Sequence, residues 1–143
     1  MSDLKTQKEN IAVVSSYFAS LAVGDMSKFA SLLDENVIWH QPGDNQFSGK
    51  KSGIEEIGAM VADMMTKTQG SFAVHPNAQP MASDDLVSVP VLFSGQRNID
   101  GVEHSIHMEG TDLFKLSNEK ITEIWLFSSC LLYTSPSPRD TRE

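Results

Sequence analysis

The order of hydrophobic periods along this chain restricts its fold more than any single motif: helical spacing fills the first half and two-residue alternation the second. From Thr6 to Ala22, apolar residues fall at Ile11, Val14, Phe18 and Leu21, a helical stripe with Val13 and Tyr17 on its edge. Gly24 suits the end of that helix, and Asp25 the cap of a short second one, Met26 to Leu33, with Phe29, Leu32 and Leu33 turned inward. Val37-Ile38-Trp39-His40 reads as a strand stopped by Pro42-Gly43, and a polar loop from Asp44 to Lys51 follows. Ser52 with Glu55 makes a capping box for a third helix, whose apolar face is Ile54, Ile57, Val61, Met64 and Met65 and which Gly70 ends. Strands are expected over 71–75, 86–94, 103–116 and 120–128, joined by turns at Ser83-Asp84-Asp85, Asn98 to Gly101 and Ser117-Asn118-Glu119. Helices first and then a meander of antiparallel strands is an α+β pattern.

A length of 143 residues fits one domain with one core, and 40% hydrophobic with 21% charged residues is globular composition. Nineteen acids against eleven bases give a net charge of −8. That disfavours nucleic acid and anionic membrane surfaces as partners, since both need clustered Lys and Arg. The N-terminal MSDLKTQKEN is polar with no apolar run after it, so it does not read as a secretory signal, and no run approaches the length of a membrane span. A cytoplasmic location is the expectation.

The last residues read differently. Cys130 to Asp140, CLLYTSPSPRD, matches a one-frame translation of a transposase adapter used in sequencing libraries. The alternative is a proline-rich, phosphorylatable tail. On the adapter reading, residues 1–129 form the domain, 130–143 are not native, and the natural ending lies beyond Ser129. Cys130 is the only cysteine, so neither disulfide nor thiol chemistry is expected of the domain.

Chemistry is sought where polar groups interrupt an apolar face. In the longest strand the even positions are Ile106, Met108, Gly110, Asp112, Phe114 and Leu116, and Asp112 is the only charge among them. A carboxylate on an apolar face is costly unless it is paired or takes up a proton, and the neutral acid can donate to a developing oxyanion. The other reading makes Asp112 a strand anchor bonded to backbone. Tyr17 carries a phenol at the end of a ring on the inward helix, as a donor or as simple core packing. If Trp39 points inward so does Gln41, while His40 points away as polar surface. His104 shares the parity of Asp112 and fits a cavity mouth. His104 and His107 lie on opposite faces of a strand with no ligand-spaced partner, so no metal is expected, and no cofactor motif is present. Met60, Met64, Met65 and Met108 read as gap-fillers that also suit the wall of an apolar pocket.

Several segments in order resemble the SnoaL-like and ketosteroid-isomerase-like proteins. They are Tyr17-Phe-Ala-Ser-Leu-Ala-Val-Gly-Asp25, Val37-Ile-Trp-His-Gln-Pro-Gly43, Phe47-Ser-Gly49, Asp112-Leu-Phe-Lys-Leu116 and Lys120-Ile-Thr-Glu-Ile-Trp125. The resemblance spans residues 6 to 128 and implies a cone-shaped α+β barrel of the nuclear-transport-factor-2 type. In that fold about three N-terminal helices pack on a strongly curved antiparallel sheet, and many members pair as homodimers through the sheet. It places Tyr17 where the isomerases keep an oxyanion-hole tyrosine and Asp112 where they keep a protonated aspartic acid. In the related polyketide cyclases, an aspartate on this part of the sheet is the acid/base. The isomerases' general base is an aspartate just before the proline, and here that position is Gln41, whose carboxamide cannot take and return a proton near neutral pH.

Two functions are therefore expected to compete. One is acid/base chemistry on a carbonyl-containing apolar molecule. Asp112 and Tyr17 would be its catalytic groups, with Trp39, Gln41, Met108, Phe114, Leu126 and His104 binding the substrate. The other is a non-catalytic ligand-binding or dimerisation module of the same fold.

Overall fold

A computed structural model describes residues 4–41, 49–67 and 73–128. Helix α1 (Leu4–Val23) buries Asn10, Val13, Val14, Tyr17 and Phe18, so Tyr17 stands at the centre of the inward stripe rather than on its edge. Asp25 caps α2 (Met26–Ser31), its carboxylate accepting from the Lys28 amide at 3.0 Å. Leu32 and Leu33 stay buried beyond that helix, because β1 (Leu33–Gln41) begins there at once. The third helix, α3 (Gly53–Lys67), buries Ile57, Met60, Val61 and Met64. Its cap differs from expectation: Glu56, not Glu55, accepts from the Ser52 amide at 2.8 Å, one residue later than the usual box.

Two short strands escaped the sequence reading. They are β2 (Gly49–Ser52), inside the expected polar loop, and β4 (Met81–Ser83). The others are β3 (Ala73–Pro76), β5 (Leu86–Ile99), β6 (Val102–Ser117) and β7 (Lys120–Ser128). The sheet runs β2-β1-β7-β6-β5-β3, with β4 pairing β5. It is mixed rather than antiparallel, since β1 lies parallel to β7 with Trp39 opposite Ile124. The crossover through α3 and five further strands makes that parallel pairing topologically available, and local alternation carries no sign of it. Pro42, Gly43, Gly70 and the tail from Ser129 lie outside the described residues.

Turn chemistry fixes the hairpins. Asp100 and Gly101 between β5 and β6, and Asn118 and Glu119 between β6 and β7, all have positive φ, the primed geometry that matches strand twist. Curvature has a separate cause at Gly110, midway along β6. A Cβ there would run into the Phe127 carbonyl oxygen and sit 2.8 Å from the Phe93 ring, so only glycine lets the strands fold inward at this point. The concave face is then lined by Val87, Val89 and Val91 of β5, Asp112, Phe114 and Leu116 of β6, and Ile121, Ile124 and Leu126 of β7. A bulge at Thr122, between the pairings of Lys115 and Leu116, keeps Ile121 and Ile124 on that same face. Helix α1 covers the β3–β5 side and α3 the β1–β2 side. Among the described residues no helix is long and apolar enough to cross a membrane.

Candidate functional site

The concave face is apolar except at one point. Asp112 is 2% exposed, flanked directly across the strands by Val89 on one side and Leu126 on the other. Its Oδ1 atom has no hydrogen-bond partner. Burial without a compensating charge or donor penalises the ionised form and raises the carboxyl pKa from 3.8 to about 8. At neutral pH the group is therefore largely a carboxylic acid, with an O–H to give.

Tyr17 comes to the same region from α1. Its ring meets Phe114 edge-on at 5.0 Å, Phe18 at 5.1 Å and Phe29 at 5.3 Å, so three aromatic rings fix the phenol in place. Phe114 is two residues from Asp112 on one strand face, which brings phenol and carboxyl into one neighbourhood. Burial, and then the Asp112 charge, push the Tyr17 pKa well above its ordinary value, so the phenol keeps its proton.

The third polar element lies on β1. Trp39 is buried, and its indole N–H donates to Gln41 Oε1 at 2.8 Å, so the two side chains share the inner face as alternation requires. The structure thus brings Asp112, Tyr17, Phe114, Leu126, Trp39 and Gln41 onto one concave surface. Met108 is half-buried on the same strand face, four residues or about 13 Å from Asp112. His104 does not join them. It is exposed, eight residues or about 26 Å along β6, where the β5–β6 hairpin projects past the helices and neither face is covered.

His40 points to the convex face, but not as lone polar surface. Its Nε2 lies 2.6 Å from Glu123 Oε2, and its ring stacks on Trp125 at 5.5 Å with a 5° tilt. The sequence reading missed Glu123 because the β1–β7 register that brings them together is non-local. Among the described residues, no three His, Cys, Asp or Glu side chains gather as metal ligands. An apolar groove of about 360 Å³ runs along α1, with Phe18, Val74, Pro80 and Val89 in its wall. Val89 is the strand partner of Asp112, so one residue separates that groove from the buried acid.

Comparison with known proteins agrees with this architecture. The SnoaL-like domain family matches residues 14–124, and the chain belongs to that family. None of the curated proteins matches it significantly. A protein of unknown function with a cystatin-like fold from Xanthomonas campestris is 37% identical, with a TM-score of 0.78 over 86% of this chain and 92% of that one. A protein from a soil-derived mobile gene cassette is 25% identical, with a TM-score of 0.81 over 90% of this chain and 94% of the other. A protein from Jannaschia sp. CCS1, provisionally described as a SnoaL-like polyketide cyclase, shares the fold at 17% identity, with a TM-score of 0.73 over 96% and 99% of the two chains. The cone of three helices on a curled sheet is the nuclear-transport-factor-2-like fold.

Proposed function

We propose that the concave face binds a small apolar molecule bearing a carbonyl group, and that Asp112, as a neutral acid, donates a hydrogen bond to that oxygen as it gains enolate character. One observation carries the reading: a carboxyl oxygen nearly sealed from water, with no partner, on an otherwise apolar surface. Such a group costs stability unless a ligand uses it. Tyr17 supports the same oxygen as a second donor. The chemistry that fits is proton transfer next to a carbonyl, of the isomerase, cyclase or aldol kind, as the cyclase description of the Jannaschia neighbour also encourages. With Gln41 where a base would stand, water accepts the carbon-bound proton as the carbonyl oxygen takes up enolate character.

The test is exchange of the benzylic α-protons of 2-tetralone in deuterated buffer, followed by proton NMR. The protein should accelerate it below about pH 8, less so as pH rises through that value and Asp112 ionises, and Asp112→Ala should abolish the effect. Binding of 2-tetralone without acceleration would leave a non-catalytic ligand carrier, a reading favoured by the Trp39–Gln41 bond, which puts an amide rather than a base on this face.

The convex face supports a further part of the proposal, pairing with a second copy. Phe127 is 51% exposed there, beside half-buried Trp125 and Leu113. Sedimentation velocity should return a dimer that Phe127→Glu converts to monomer; a monomeric wild type would remove this part.

A further inference from the structure

The sheet has a second end, far from Gln41. In register Leu116 is level with Ile121, and Ile121 with Leu33 at the start of β1, whereas Gln41 closes that strand. Here the first turns of α1, the β4–β5 turn and the β6–β7 turn enclose a pocket of about 560 Å³. Two hydrogen bonds tie these segments together. The Leu116 amide donates to the Asp85 carbonyl at 2.9 Å, and Asn10 Nδ2 donates to the Asp84 carbonyl at 3.5 Å. Buried Leu116 gives the pocket an apolar floor, and Glu9, Asp84, Asp85 and Glu119 make the rest of it acidic. Leu116 is four residues, or about 13 Å, from Asp112 along β6, so this pocket is separate from the buried acid.

Two independent observations point to a ligand. The first is charge without a partner. Among the described residues the ion pairs are His40–Glu123 and Lys67–Asp63, and none involves the four acids of this pocket. Lys120, the base next to Glu119, donates instead to the Ser31 carbonyl. The second is Asn10, which is 5% exposed and lines the pocket. A backbone carbonyl only accepts, so the Asn10 NH2 group must face Asp84, and that leaves the carboxamide oxygen on the other side. Oδ1 accepts no hydrogen bond among the described residues. A side chain so deeply buried ordinarily has its acceptor satisfied. Unlike Asp112 Oδ1 this oxygen is not sealed, and the pocket is where it opens.

We infer that this pocket binds an organic polycation of the linear polyamine class, its ammonium groups paired with the acids, one N–H given to Asn10 Oδ1 and its methylene segments laid over Leu116. The volume lies within the roughly 300–1,000 Å³ of small-molecule sites. A bare metal ion fits less well, because among the described residues no three acidic or histidine side chains gather as ligands. The acids are spread along the pocket and call for charge spread along a chain. A polyamine alternates charge with hydrocarbon, as the acidic walls and apolar floor require. Ammonium groups donate and never accept, which suits a pocket whose free buried atom is an acceptor. The net charge of −8 draws any cation toward the molecule but does not select this place on it.

The experiment is isothermal titration calorimetry of the full chain with spermidine at neutral pH and low salt. One spermidine should bind per chain. Glu9→Gln combined with Glu119→Gln should weaken binding about tenfold, since it removes two charged acceptors from the pocket. Glu35→Gln combined with Glu55→Gln removes the same charge from exposed positions outside the pocket and should leave the affinity within about twofold. Asn10→Leu, similar in volume but without the acceptor, should cost a few-fold. Circular dichroism melting checks folding, and the two glutamate pairs carry the test if Asn10→Leu does not fold. Equal weakening by both pairs would overturn the site and leave only attraction to net charge, and no binding of spermidine would overturn it outright. Displacement of spermidine by an equal concentration of magnesium would overturn the polyamine in favour of an inorganic cation. Tighter binding of a tetralysine peptide than of spermidine would overturn it in favour of a basic protein segment.

Discussion

The two faces of one sheet treat a carboxylate in opposite ways. On the convex face Glu123 is one-quarter exposed and lies 2.6 Å from the His40 ring, beside the stacked Trp125. On the concave face, one strand away, Asp112 is sealed among Val89, Leu126 and Phe114 with an oxygen left unbonded. The strands are the same and the pleat alone decides which carboxyl faces which way. The outer acid has what a surface acid ordinarily has, a partner and water. Oδ1 of the inner one has neither, and burial makes the group hold a proton near neutral pH. Stability does not call for an acid there, so function is the better explanation for it.

The largest expected effect separates the faces by pH. The folded state holds the Asp112 proton up to about pH 8, whereas the unfolded chain releases it near 3.8. Between those values unfolding frees a proton. Stability is thus fully present below about pH 4 and declines as pH rises toward 8, by about 4 kcal/mol between pH 5 and pH 8 for this one group. Urea unfolding of wild type and Asp112→Asn at both pH values should show the variant gaining relative to wild type by that order; parallel behaviour would mean that the inner acid is not sealed. Next comes the bend that separates the faces. Gly110→Ala forces a methyl group against the Phe127 backbone and the Phe93 ring, and should cost about 1–3 kcal/mol in the same assay. An unchanged midpoint would show that the sheet does not depend on this close approach. Smaller still is the outer pair. Glu123→Gln should change stability by no more than about 1 kcal/mol, because both partners are partly solvated, and should leave 2-tetralone binding on the inner face unaltered. Altered 2-tetralone binding in this variant would show that the faces are coupled.

Much of this was legible in the sequence because burial here follows strict periods. The even residues of β6 pointed to Asp112, alternation around Trp39 put Gln41 inside and His40 outside, and the helix stripe carried Tyr17. What escaped detection depends on contacts distant in sequence. Strand β2 is Gly-Lys-Lys-Ser and β4 Met-Ala-Ser, too short and too polar to show a period; both exist because a longer strand offers them an edge. The β1–β7 pairing joins residues more than eighty apart and is parallel, so the His40–Glu123 contact has no local signature. His104 has the right parity but lies where the β5–β6 hairpin has passed beyond the helices, and parity says nothing about where the covering layer stops. The bond between Trp39 and Gln41 follows from alternation only as a shared face; its direction needed coordinates.

The protonation state of Asp112 is the quantity on which the rest turns. Carbon-13 NMR of the aspartate side-chain carboxyl groups, with Asp112→Asn to assign the resonance, follows it directly across pH. A midpoint near 8, with the neutral acid dominant at pH 6, is the predicted result. A midpoint near 4, with the group charged at pH 6, would contradict it.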